Sequence, residues 1–511
     1  MNNPVSSPRT RSGLTAAILL SVAAATPTGA QSAPDGWRQL AVGDVEALHD
    51  AVVTLHPGIR DPETPAFAGR VEAAYAEARS RAETADSFLA WRSATLGFML
   101  SFRDGHTIYR TNVAPVRVRW PGFLIDGREG GWVVRRPTGF SATAGPPEGA
   151  RLVSCDGIEV ETLLRDRLDK VEADWSKAPE RLRQAYRLFI DYRTDGPVPL
   201  TRCRFAVDGG ESDVDLTWTV ETWSRLSPQL APFNREVSRP IGLETLPDGG
   251  VWVGLGSFGD ETALEAMATA FEGDIERIRA APYVVFDVRG NRGGNSGWGD
   301  RFATALWGQA AYEAREARRI RETAGRGGKF WRTSPEAQAQ ARATAAEFAT
   351  RGPDYESVVA YFSGVADGMA AWPGGDRSLY PDPCCTPDPP ASSNPSVTTS
   401  SASLMTHPVF LLTDAACFSS CVLGVNKIRM MGAVQVGETT GQNEEYGEVA
   451  GPLDTPSGLG RYLIPLTIIR QPQSALVSDV DIRWPGALDD ETGLRRWIAE
   501  LAATAAAGQT D

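Results

Sequence analysis

The sequence predicts an α/β layer fold carrying an N-terminal helical domain and a small β-rich domain, and three observations predict it. Apolar runs VWVGL, YVVFDV, PVFLLTD and AVQVGE alternate with helical segments from about Val237 to Ala506, as strands do when helices cover their sheet. Residues 38 to 102 instead repeat apolar positions at helical spacing, in DVEALHDAVVTLH and SFLAWRSATLGFMLSF. Between the two, from Val116 to about Thr222, short alternating runs such as GGWVVRR and LTRCRFAV are separated by turn residues.

Taken in chain order, the first 30 residues read as a secretory signal. Arg9 and Arg11 precede the apolar run Leu14 to Ala25, and Thr28-Gly29-Ala30 supplies small residues for cleavage near Ala30. The run is too short to span a bilayer, so an exported protein with no stable membrane insertion is expected. Residues 31–115 are expected to form the helical domain, interrupted by the Pro57 to Pro65 stretch, and residues 116–235 the β-rich domain with a helical interruption near Ala178 to Ile190. Residues 236–506 are expected to form the α/β domain, into which about 312–404 is inserted. That insertion is Arg- and Ala-rich and helical at first, then Pro-rich in PDPCCTPDPPASSNPSVTTSSAS. A polar loop of that length either caps a site or is an idle surface excursion.

At 511 residues and 42% hydrophobic content, the chain can bury a core large enough for more than one domain. The net charge of −13, more negative still without Arg9 and Arg11, argues against nucleic acid and anionic membrane surfaces as partners. Six cysteines in an exported chain are an even set that can form three disulfides. Cys155 and Cys203 are natural partners within the β-rich domain, Cys417 and Cys421 bracket a serine turn, and the adjacent Cys384 and Cys385 cannot comfortably bridge each other. With only four histidines and no paired C-x-x-C, no metal site and no cofactor is expected.

The serine turn carries the chemistry. His407 to Leu412 reads as a buried strand that runs through Cys417-Phe418-Ser419-Ser420-Cys421 into the helical segment SSCVLGVNKIRMMG. Upstream, YVVFD at Tyr283 to Asp287 runs into the glycine-rich turn VRGNRGGNSG. A serine presented at a sharp strand-to-helix turn, facing backbone N–H groups of a Gly-Gly turn, suits acyl transfer.

Such a serine needs a base. Of the four lysines, Lys427 lies eight residues past Ser419, about 12 Å along a helix, which disfavours a Ser-Lys pair. His407 is roughly 20 Å away at the far end of the strand, and His49 and His56 read as surface or helix-cap residues. His106 remains, in Arg103-Asp104-Gly105-His106-Thr107, where Gly105 allows a sharp exit from the preceding helix and Asp104 or Thr107 stands close enough to orient the ring.

The order of a helical segment with DGHT, a β-rich domain, a D-x-R-G-N-x-G-G turn, a strand ending in a small-residue serine turn and then VGETTG resembles the tricorn and C-terminal-processing (tail-specific) family of serine peptidases. The resemblance covers nearly the whole mature chain and points to the Ser-His branch rather than the Ser-Lys branch, because Gly441-Gln442-Asn443-Glu444 holds no lysine. It implies a crotonase-like, ClpP-type α/β catalytic domain and a PDZ-like β-rich domain, with GARLVSCDGIEV at Gly149 to Val160 as its signature strand and Pro121-Gly122-Phe123-Leu124 as a poor match to the carboxylate-binding loop. It implies Ser419 as nucleophile, or Ser420 on an alignment shifted by one, and His106 as base. The oxyanion hole would use the N–H of Ser420 and one from Gly293 or Gly294, in a turn shaped by Asp287 and Arg289.

The expected substrate is a peptide or unfolded protein. A serine beside the histidine, present in that branch, is replaced here by Gly105, and the family's distant Glu falls to Glu448, or to Glu444 or Glu445. Two other functions remain open on the same scaffold, a non-catalytic ligand-binding protein and an ester or thioester hydrolase.

Overall fold

The computed structural model describes residues 34–128, 130–140, 145–207, 209–237, 239–323, 328–383, 402–441, 445–470 and 479–507. The secretory signal, Cys384, Cys385, most of the Pro-rich loop and Glu444 lie outside these residues.

A six-stranded sheet organises the C-terminal half. Its strands run in the order Ile241–Thr245, Val251–Leu255, Val284–Asp287, Val409–Thr413, Val434–Gly437 and Ile482–Arg483, with the first pair antiparallel and the rest parallel. Every residue of the three strands Val251–Leu255, Val284–Asp287 and Val409–Thr413 is buried, which is why they read as unbroken apolar runs. Alternate side chains serve two cores. Val253, Phe286 and Leu411 pack with helices Glu261–Gly273, Gly297–Trp307 and Ser420–Met430, whereas Trp252, Val285 and Phe410 face Leu494 and Ile498 of helix Glu491–Ala507.

The N-terminal helices Pro34–Leu55, Phe67–Glu83 and Phe88–Leu100 do not close a core by themselves. Their apolar faces, with Val45, Leu48, Val71, Trp91 and Phe98, share one cluster with Trp331, Ala341 and Met369 from the inserted segment. The insertion contributes strand Gly328–Arg332 and helices Pro335–Ala349 and Glu356–Ala371, so its described part is woven into the molecule. A five-stranded sheet joins these pieces. Gly460–Arg470 pairs with Ile108–Thr111, Gly328–Arg332 and Tyr446–Asp454, and Gly328–Arg332 in turn with Leu379–Pro381.

The intervening β-rich region forms an antiparallel sheet of Leu124–Arg128, Gly131–Arg135, Arg151–Cys155, Arg202–Val207 and Gly210–Asp215, with Ile158–Glu159 beside Arg151–Cys155. Cys155 stands opposite Cys203 in the register, and the two form a disulfide. Helix Val160–Leu168, helix Ala178–Gln184 and the 3-10 stretch Ala185–Phe189 that follows it cover the sheet through Leu163, Leu164, Tyr186 and Phe189. No helix among the described residues is long and apolar enough to cross a membrane.

Candidate active site

Two neighbouring strands place the site. Val284–Asp287 and Val409–Thr413 run parallel with Asp287 level with Leu412, so their C-terminal ends release the glycine turn and the serine turn side by side. Clefts at the C-terminal ends of parallel strands are where sheets of this kind hold ligands.

The serine turn is tightly held. Asp414, just past the strand, accepts the N–H of Ala416 at 3.0 Å on Oδ1 and the N–H of Gly290 at 2.9 Å on Oδ2, tying the two turns together. Phe418 donates its N–H to the Asn291 carbonyl at 3.3 Å. The Cys417–Cys421 disulfide spans the bend, with Cα atoms 5.3 Å apart. At its apex Ser419 adopts φ 57° and ψ −126° immediately before helix Ser420–Met430. A non-glycine residue with positive φ is strained, and the strain persists only where the surroundings hold it.

His106 Nε2 lies 3.0 Å from Ser419 Oγ, hydrogen-bond range for transfer of the hydroxyl proton. The serine that meets the histidine is Ser419, while Ser420 begins the helix. His56 caps the Gly58 N–H through Nδ1 at 3.0 Å, and His49 pairs with Glu72 at 3.1 Å. Lys427 pairs with Glu316 at 3.0 Å and Asp300 at 3.1 Å, away from the serine.

The local geometry around His106 differs from expectation in two respects. The left-handed residue at the helix exit is Arg103, with φ 53°, and not Gly105. Its guanidinium pairs with Asp169 and Asp174 of the β-rich region. Asp104 and Thr107 make no hydrogen bond to the ring: Asp104 accepts the His106 backbone N–H at 3.3 Å and the Thr107 hydroxyl at 2.7 Å, and so holds the turn while its charge acts on the imidazole. The buried Nδ1 makes no hydrogen bond of ordinary length and angle among the described residues, and the backbone of Tyr446 is the group that acts on the ring from the strand beside it. Phe418, 4.7 Å away between ring centroids, supports the imidazole instead. Its aromaticity in the CFSSC turn was the available signal for that role.

Burial is the largest influence on His106 and holds it below the ordinary histidine value. Asp104, Glu448 and the Tyr446 backbone act against this, and Lys177 acts with it. Glu448 lies in strand Tyr446–Asp454 with φ 41°, and its Oε1 accepts from Lys329 Nζ at 2.8 Å. It therefore reaches His106 through its field. Glu445 is tied through its backbone carbonyl to the Ile469 N–H.

The glycine turn has the shape of an oxyanion cradle. Gly293, φ 102°, sits so close to the serine turn that a Cβ there would fall 3.0 Å from the Phe418 carbonyl and 3.2 Å from the Ser420 nitrogen. Its own N–H is donated to Asn291 Oδ1 at 2.8 Å. The N–H groups of Gly294 and Ser420 have no partner among the described residues. Arg289, almost fully buried, clasps Asp287 at 2.9 and 2.6 Å and stiffens the start of the turn.

Ser419 and His106 open onto a cavity of about 580 Å³ between three parts of the molecule: helix Phe88–Leu100 with the loop after it, the β-rich region around Glu172 to Arg187, and the serine turn. Among the described residues, no group of three or more His, Cys, Asp or Glu side chains gathers as a metal site.

No family model matches the sequence, and no curated protein matches it. The crystal structure of mature CPAF superposes with a TM-score of 0.55 at 13% identity, over 91% of this chain and 96% of that one. The fold is that of mature CPAF. CPAF complexed with lactacystin agrees, at a TM-score of 0.53, 12% identity and coverage of 92% and 98%. The photosystem II D1 C-terminal processing protease aligns with a TM-score of 0.31 at 14% identity, covering 88% of this chain and 93% of its own.

Proposed function

We propose that this chain is an exported serine peptidase of the tail-specific kind, working through a Ser-His mechanism. The observation that carries the reading is the 3.0 Å approach of His106 Nε2 to Ser419 Oγ at the apex of a strained turn. His106 takes the hydroxyl proton, the Ser419 oxygen attacks the peptide carbonyl, and the tetrahedral oxyanion is held by the N–H groups of Ser420 and Gly294, with Gly293 keeping the approach open. His106 then protonates the leaving amine, and water releases the acyl group through the same steps. Glu448 stabilises the imidazolium by its charge. The β-rich domain, read as PDZ-like, feeds peptide to the cleft it helps to line. Two disulfides among the described residues support an oxidising compartment, and with it export.

The test is labelling of the mature protein by a fluorophosphonate probe, with circular dichroism confirming that each variant folds. Labelling is expected in wild type and Ser420→Ala and lost in Ser419→Ala and His106→Ala. Folded wild-type protein that does not label, under conditions that label a control serine hydrolase, overturns the reading in favour of a binding protein.

A further inference from the structure

The chain is acidic, with a net charge of −13, yet the cavity beside Ser419 is lined by seven Arg and Lys side chains against five Asp and Glu. Arg92 and Arg187, deeper in the cavity, both ion-pair with Glu172. Arg103 ion-pairs with Asp174 and Asp169. Beside the glycine turn the pairing is incomplete. Arg183 ion-pairs with Glu180 at 2.9 Å and donates to the Asn234 carbonyl at 3.3 Å, and Arg292 ion-pairs with Glu236. Arg110 is exposed and its guanidinium has no counter-ion among the described residues.

These three arginines converge from separate elements. Arg110 lies on strand Ile108–Thr111, four residues after the base, Arg183 on helix Ala178–Gln184, and Arg292 next to Gly293 in the turn that faces Ser419. Arg292 feels the other two: burial first, then repulsion from Arg183 and with Arg110 also acting, pulls its guanidinium down to about 10 against the attraction of Glu236. Three cations against two carboxylates leave a surplus positive charge at the edge of the reaction centre, and an entering anion relieves the repulsion.

Resting on the peptidase reading above, we infer that the cleft selects peptides bearing a carboxylate close to the bond that is cut, received by Arg110, Arg183 and Arg292. The group is an acidic side chain, which a guanidinium fork receives through paired hydrogen bonds.

The experiment measures kcat/KM for matched peptides in which Glu replaces Gln at successive positions around the cleavage point, each as the free acid and as the C-terminal amide. Wild type, Arg110→Gln and Arg110→Lys are compared at low and high salt. The expected advantage of the carboxylate is about tenfold, the size of one charge-assisted hydrogen bond, expressed in KM, reduced by salt, lost in Arg110→Gln and partly kept in Arg110→Lys. A preference that follows the Glu side chain and survives amidation supports the inference, and a preference that is lost on amidation alone overturns it. Equal cleavage of charged and neutral peptides, or a preference unchanged in Arg110→Gln, overturns the inference. Binding of the same fluorescent peptides to Ser419→Ala by anisotropy gives the same comparison without turnover, so failure of the carboxylate site is distinguished from failure of the peptidase reading.

Discussion

Lys329 Nζ donates to Glu448 Oε1 across 2.8 Å, so a side chain from the segment inserted at 312–404 grips the carboxylate whose field reaches the His106 ring. Lys329 is itself held by the Tyr361 hydroxyl at 3.0 Å, which comes from a helix of the same insertion. The insertion therefore holds one of the charges that act on His106 and also closes the helical core.

In the proposed mechanism His106 works in its neutral form, so kcat/KM is expected to rise with pH along an acid limb whose midpoint lies below the ordinary histidine value, because burial disfavours the imidazolium. Glu448→Gln removes an anion that favours the charged ring and moves the limb to lower pH. Lys177→Gln removes an opposing cation and moves it to higher pH. Rate profiles of the three proteins measure both shifts, and superimposable profiles would refute the assignment.

Gly293→Ala is expected to cost at least about tenfold in kcat with a folded protein retained. The added methyl meets the Phe418 carbonyl at 3.0 Å, and φ 102° is unfavourable for any residue with a side chain. Gly43→Ala is the control: nothing lies within 4 Å of its Cβ in helix Pro34–Leu55, and it is expected to stabilise the protein by up to about 1 kcal/mol with unchanged turnover.

Arg235 is a buried bridge. It pairs with Asp126 of the β-rich sheet at 2.8 Å and with Glu438, beyond strand Val434–Gly437, at 2.8 and 3.0 Å. Arg235→Ala strips the buried Glu438 of its guanidinium and leaves Asp126 only the longer contacts from Arg135 at 3.3 Å and Arg128 at 3.5 Å, and a loss of about 3–5 kcal/mol in urea unfolding is expected. A change within about 0.5 kcal/mol would show that water enters and compensates.

Asp414 is pushed up to about 6, first by burial and then by Glu438, against the Ala416 and Gly290 N–H groups and Arg235. The folded protein thus holds this proton more tightly than the unfolded chain, where an aspartate titrates near about 4. Stability is expected to fall as pH rises through about 4 to 6, by about 3 kcal/mol from this group. Urea midpoints of wild type and Asp414→Asn across that window isolate the contribution, and parallel curves would contradict it.

The local pattern of this chain carried its strands, its turns and the serine that stands beside His106. Short β-branched and aromatic runs such as VVFD and VFLLT, bounded by turn residues, read as buried strands, and their neighbouring small-residue turns announced where the serine and the glycines would meet. His106 was legible by elimination, because histidines and lysines are scarce. Both disulfides among the described residues join cysteines already close in the chain or within one sheet. Tertiary structure alone decided the rest. That Trp331 and Met369 complete the N-terminal core, that Asp414 holds Gly290, that Lys329 meets Glu448, and that Arg110, Arg183 and Arg292 share one wall are relations between residues far apart in the chain. Each of these side chains has many partners of suitable charge or size, and only the packing of the sheets selects among them, since a contact forms where the backbone brings two groups within a few ångströms and local sequence pattern holds no record of that distance.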